Sequence, residues 1–162
     1  MKARELMKVA AFIPIYQNDL GQCIKIFYRN GQTGMVNLSM RSFLQRIAKA
    51  FSLDLQEMRR SLGPLTGQKN LLPLALSPLL LYVPLKSRKP AVKGDSAYGY
   101  FRLRSVLAVV AVPAPCTLTL EGGHQLTICQ SYRIACKRLR TARKLEGYLF
   151  EQYYDAFRKG QA

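Results

Sequence analysis

The chain has 162 residues, about the length of one ordinary domain, and 49% of them are apolar, enough to bury a core and too many for a solvated basic tail. Its 25 Lys and Arg against 9 Asp and Glu leave a net charge of +16, which points to a polyanionic partner: nucleic acid first, anionic lipid headgroups second, an acidic protein third. The single histidine, His124, excludes any site built from two histidines of this chain, and carboxylates are scarce, so neither an enzyme nor a cofactor is expected.

Cys23, Cys116, Cys129 and Cys136 form no C-x-x-C and have no histidine at ligand spacing. Reduced, partly buried thiols of a cytosolic protein account for them more simply than a metal. Residues 70–85 and 105–120 carry no charge, but both fall short of the ~20 apolar residues of a membrane span and both contain prolines. The start of the chain is basic and then apolar, but Glu5 interrupts it and no small-residue cleavage site follows, so it reads as a lead-in to a first strand.

A strand is expected over Val9 to Tyr16, a turn at Asn18-Asp19-Leu20-Gly21, and a second, alternating strand over Cys23 to Tyr28, which together make a hairpin. Asn30-Gly31 and Thr33-Gly34 mark the next turn, with a short third strand over Met35 to Leu38. Ser39 then offers a helix cap, and Phe43, Leu44, Ile47, Ala50 and Phe51 recur at helical spacing. A second helix is expected over Leu53 to Leu62, capped by Ser52, with Asp54 near its start, Arg59-Arg60 near its end, and Gly63-Pro64 stopping it. Both helices are expected to pack on the sheet.

Pro73, Pro78 and Pro84 break the apolar run from Leu71 to Leu85 and confine any strand there to pieces such as Leu79 to Val83, serving core or interface. An exposed basic loop follows, with Lys86, Arg88, Lys89 and Lys93 and no acid among them. Tyr98 to Arg104 leads into a Val-rich run, 106–112, which reads as a central strand covered on both sides and ended by Pro113 and Pro115.

Cys116 to Leu120 and Gln125 to Cys129 flank Glu121-Gly122-Gly123-His124, the sharpest hairpin signal in the chain. Burial favours a three-residue loop with Leu120 opposite Leu126, Leu118 opposite Ile128 and Thr119 opposite Thr127, so that the cysteines do not pair directly. Ser131 caps the next helix, where Arg133, Lys137, Arg140 and Lys144 fall on one stripe with Ala135, Leu139 and Ala142 across from them. Like charges one turn apart repel, and a row of phosphates offsets that repulsion; a solvated basic face is the plainer alternative. After Gly147 come Tyr148, Leu149, Phe150, Tyr153, Tyr154 and Phe157, expected to pack in the core or an oligomer interface rather than to stack on bases.

Taken in order, CTLTLEGGHQLTICQSYRIACKRLRTARKL, the upstream SFLQRIAKAFSLDLQEMRRSLG, and LLLYVPLKSRKP followed by YGYFRLRSV resemble the competence transcription factor ComK family over most of the chain. The hairpin and following helix also resemble the C-terminal part of LytTR-type DNA-binding domains. The ComK resemblance implies a bacterial, cytoplasmic, nucleoid-associated transcription activator that binds A·T-rich duplex DNA as a homo-oligomer and is controlled by proteolysis through an adaptor. It makes Lys86, Arg88, Lys89, Lys93, Arg102, Arg104, Arg133, Lys137, Arg140 and Lys144 the candidate DNA contacts. No long charged tail follows the aromatic helix, which departs from the family pattern where adaptor control is concerned.

The expected fold is α+β: a single DNA-binding domain over residues 1–162, mainly antiparallel sheet with two central helices and, over 131–160, a basic and then aromatic helical segment. Two other functions fit the composition: an RNA-binding protein stacking Tyr98, Tyr100 or Phe101 on unpaired bases, and a non-catalytic interaction protein docking its aromatic helix on an acidic partner.

Overall fold

A computed structural model describes residues 1–68 and 70–160; positions 161 and 162 of the expected domain lie outside the described residues. The lead-in forms one helical turn, α1 (Ala3–Leu6), before β1 (Val9–Gln17) and β2 (Gly21–Tyr28) make the expected hairpin and β3 (Thr33–Val36) extends it. β3 begins two residues before the expected strand because the turn closes at Asn30-Gly31, leaving Thr33-Gly34 free to pair with β2. Two more strands, β4 (Leu74–Ser77) and β5 (Leu80–Lys86), and then β6 (Tyr98–Arg102) complete an antiparallel sheet in the order β3-β2-β1-β6-β5-β4.

The apolar run is longer in strand than its prolines suggest. β5 passes through Pro84, which is buried, because β4 stops pairing at Tyr82 and Pro84 has a ladder neighbour only on β6, so one side has no bond to lose. α2 (Met40–Ala50) starts where Ser39 accepts the Ser42 N–H, and it lays Phe43 and Ile47 on Phe12, Ile24 and Ile26 of the sheet. α3 (Leu55–Thr66) is capped by Asp54 rather than Ser52, since the Asp54 carboxylate accepts the N–H groups of Gln56 and Glu57. Nor does Gly63-Pro64 stop it: the helix runs on to Gly67, whose left-handed φ of 67° supplies the real cap.

The other face of the large sheet carries the second half of the chain. β7 (Val106–Val110), β8 (Cys116–Leu120) and β9 (His124–Ile128) form a three-stranded sheet in that order, and α4 (Tyr132–Gly160) follows. Cys116, Leu118, Leu120 and Ile128 of the small sheet and Ala135, Leu139, Ala142 and Leu145 of α4 share one core with Val83, Leu85, Phe101 and Leu103. The domain therefore has three layers: α2, the six-stranded sheet, and the small sheet with α4.

Two expectations about the small sheet are corrected. The Val-rich run is an edge strand, not a covered central one, and Leu107 and Val112 stand 66% and 72% exposed. An apolar run reports freedom from charge, not a place in the sheet, and here only β8 pairs with it. The hairpin has its three-residue loop, but Leu120 faces His124, Leu118 faces Leu126, Thr117 faces Thr127, Thr119 faces Gln125, and Cys116 faces Ile128. A shift of two residues keeps every side chain on its expected face, so burial alone does not distinguish the two registers. What selects the loop 121–123 over 122–124 is the tight seat of the turn: a Cβ at Gly122 would lie 2.8 Å from the Tyr28 carbonyl oxygen, and the φ of Gly122 is 94°.

Candidate nucleic-acid interface

The basic surface is built at the junction of β5 and α4. The Cys129 N–H donates to the Lys86 carbonyl at 2.8 Å, and the Lys86 N–H donates to the Gln130 side chain at 3.1 Å. These bonds stitch the end of β5, and with it the loop over residues 87–97, to the start of α4. The basic loop thus begins where α4 begins.

On α4, Ser131 accepts the Ile134 N–H, as expected of its cap. Ala135, Leu139, Ala142 and Leu145 define the buried face, and at 100° per residue Arg133, Lys137, Arg140 and Lys144 centre on the opposite side. All four are exposed and none has an ion-pair partner among the described residues. They form a crest about 16 Å long at a rise of ~1.5 Å per residue. Arg143, which the stripe pattern passed over, is also exposed on its flank, and Arg138 lies over the Tyr98 ring at 5.8 Å.

In the loop, Lys89 and Lys93 are exposed, and Lys86 is half-buried at the strand end. Arg88 is placed differently. Its guanidinium lies 4.1 Å over the Tyr16 ring, its Nε donates to the Ser96 carbonyl at 2.8 Å, and its other two nitrogens are buried.

Arg102 and Arg104 are both engaged by carboxylates of the protein itself, Arg102 nearly buried and Arg104 exposed. Arg102 is 13% exposed, with its guanidinium 3.9 Å from Glu121 and donating to the Ser105 hydroxyl at 3.4 Å, and burial together with Arg29 pulls its pKa below the ordinary value. Arg104 makes two bonds to Glu146, at 3.1 and 3.4 Å. Their acids lie 19 and 42 residues further along the chain, so the local run FRLR carries no sign of the pairing.

Glu121 is the centre of a small network. It accepts from Arg29 at 2.9 Å and from Ser105 at 3.0 Å, and the Arg29 hydrogen bond, ahead of the opposing burial, holds its carboxyl below the ordinary range. Beside it, the ring of His124 packs edge-on against Phe27, and its Nε2 lies 2.8 Å from the Tyr28 carbonyl, to which it donates. This histidine ties the small sheet to the large one.

The aromatics that the RNA-binding alternative needs for stacking are engaged within the protein. Phe101 is fully buried, Tyr100 stacks on Phe12 at 5.2 Å, and Tyr98 is covered by Arg138. Tyr148, Phe150, Tyr153, Tyr154 and Phe157, expected in the core or an oligomer interface, are not in the core of the chain: they are 40–63% exposed along the last half of α4. That half projects past the core, which ends at Leu145 and the partly buried Leu149.

No helix among the described residues is long and apolar enough to cross a membrane, and no three His, Cys, Asp or Glu of those residues cluster as metal ligands. All four cysteines are free thiols, with Cys23 and Cys116 buried. The fold and the surface define a basic α+β domain with a cationic crest. No family model, curated protein or solved structure matches the chain.

Proposed function

We propose that this protein is a double-stranded DNA-binding transcription factor. The observation that carries the reading is the crest of α4: four unpaired cations point away from the core in a line, and no acidic residue occurs between Gly122 and Lys144 to neutralise them. Lys86, Lys89 and Lys93 add three cations that also have no ion-pair partner among the described residues. Such a surface positions a protein on phosphates, and arginines entering a narrow minor groove read A·T-rich shape. Activation of competence-type genes at A·T-rich sites, control through a proteolytic adaptor and a cytoplasmic, nucleoid-associated location rest on the local resemblance to the ComK family alone.

Self-association belongs to the same reading. Uncovered apolar surface occurs at the edge strand β7 and along the last half of α4, and patches of this kind on a charged domain favour an oligomer. An RNA-binding role is less well supported, because Tyr98, Tyr100 and Phe101 offer no open stacking platform.

The test is fluorescence anisotropy against A·T-rich duplex, G·C-rich duplex and single-stranded RNA. Preference for A·T-rich duplex is expected. Equal or tighter binding to RNA overturns the proposal.

A further inference from the structure

The basic loop between β5 and β6 has no regular structure, and it is held to the tip of the β1–β2 hairpin by a few side chains. Tyr16, at the end of β1, is the hub. Its hydroxyl donates to Asp95 Oδ2 at 2.6 Å and accepts the Ala91 N–H at 3.2 Å, while its ring lies under Arg88 at 4.1 Å. Gln22, on the other arm of the hairpin, donates to Asp95 Oδ1 at 2.6 Å. Arg88 in turn closes the loop on itself through Ser96. One tyrosine therefore touches the loop near its start, middle and end.

Lys89 and Lys93 sit between these anchors and carry none of the bonds themselves. Their positions follow from the loop, and the loop's from Tyr16. We infer that Tyr16 is a positioning residue for phosphate binding: through Asp95, Ala91 and Arg88 it holds the basic loop in one arrangement and so fixes where Lys89 and Lys93 stand. The inference rests on the DNA-binding reading, and it explains why an exposed tyrosine at a hairpin tip is so fully bonded. A loop pinned before binding does not have to be ordered on the DNA, so the pinning contributes affinity without touching a phosphate.

Tyr16→Phe removes the hydroxyl and keeps the ring under Arg88. Loss of two hydrogen bonds of ordinary net strength raises the open fraction of the loop roughly 5- to 150-fold. Limited tryptic proteolysis after Lys93, followed without DNA, reads that opening directly; Pro90 protects the bond after Lys89. On duplex DNA, Tyr16→Phe weakens binding and lowers the salt slope by up to about 1.8, the share of two lysine contacts. In a Lys89→Gln, Lys93→Gln background the same substitution has no further effect on binding, because the residue acts only through those lysines.

Unchanged cleavage in Tyr16→Phe overturns the latch whatever the protein binds. Faster cleavage with unchanged duplex affinity overturns the positioning role. Absence of duplex binding by the unmodified protein, with cleavage still accelerated, refutes the DNA reading and the role inferred from it while the latch itself stands.

Discussion

The two halves of α4 are one continuous helix with opposite relations to the rest of the protein. Up to Leu145 the inward face is buried and the crest is cationic; from Gly147 onward the helix has almost no cover, and Glu151 and Asp155 take over the same crest positions. The hydrophobic stripe does not change phase at the boundary, since Leu149, Tyr153 and Ala156 continue the line of Leu139, Ala142 and Leu145 at 3- and 4-residue steps. The pattern that forms the helix is therefore shared, and what differs is whether the protein provides a surface beneath it. The first half is held by tertiary packing and can hold cations together against their repulsion; the second half has helical spacing and an unused face.

The largest expected contrast between the halves is in stability. Leu139→Ala removes a buried side chain from the core under the crest and costs about 2 to 5 kcal/mol, whereas Tyr153→Ala, further along the same stripe and 63% exposed, changes stability by less than about 0.5 kcal/mol. Urea denaturation of the two variants checks this, and equal losses would mean that the distal half is packed after all.

A second contrast is electrostatic. Removing the distal acids by Glu151→Gln with Asp155→Asn extends a neutral crest beyond the cationic one and raises duplex affinity about 2- to 5-fold at low salt, an effect of exposed charges that fades as salt is added. A loss of affinity would place the distal half in contact with the DNA.

The third concerns the acid that draws basic residues inward instead of leaving them on the crest. Glu121 has a folded-state pKa below its ordinary 4.5, so it protonates less readily when folded, and its network with Arg29 and Ser105 stabilises the protein above that value and is lost as pH falls through the depressed one. Glu121→Gln abolishes this contribution, and its thermal midpoint is expected to fall less steeply than that of the parent protein on acidification below about pH 4.5. Parallel curves would remove Glu121 from the acid response. The smallest effect is at Arg104, which is exposed but paired to the half-buried Glu146: Arg104→Gln changes duplex affinity by less than about 2-fold, because a cation already paired contributes little to a phosphate contact.

The sequence was most legible where local chemistry decides the outcome. Ser39 and Ser131 cap helices as their spacing implies, the first hairpin follows from alternation and its turn residues, and the α4 crest is visible as i, i+4, i+7 and i+11. It misled where the answer depends on distant partners. Nothing near Arg102 or Arg104 announces Glu121 or Glu146, nothing in the Val-rich run says that it lacks a second neighbour, and the register of β8 and β9 depends on Gly122 meeting Tyr28 across the domain. The role of Tyr16 was hidden for the same reason, since its partners lie about 75 residues away.

The central claim is that the proximal crest of α4, and not basic charge in general, is what meets the phosphates. It is tested most directly by duplex binding over a salt titration for two variants: one with Arg133, Lys137, Arg140 and Lys144 changed to Gln, the other with the distal cations Arg158 and Lys159 changed to Gln. The account predicts that the first loses affinity and that its log K against log salt slope falls by up to about 3.6, while the second keeps both near those of the parent protein. Equal effects per charge removed in the two variants would contradict it.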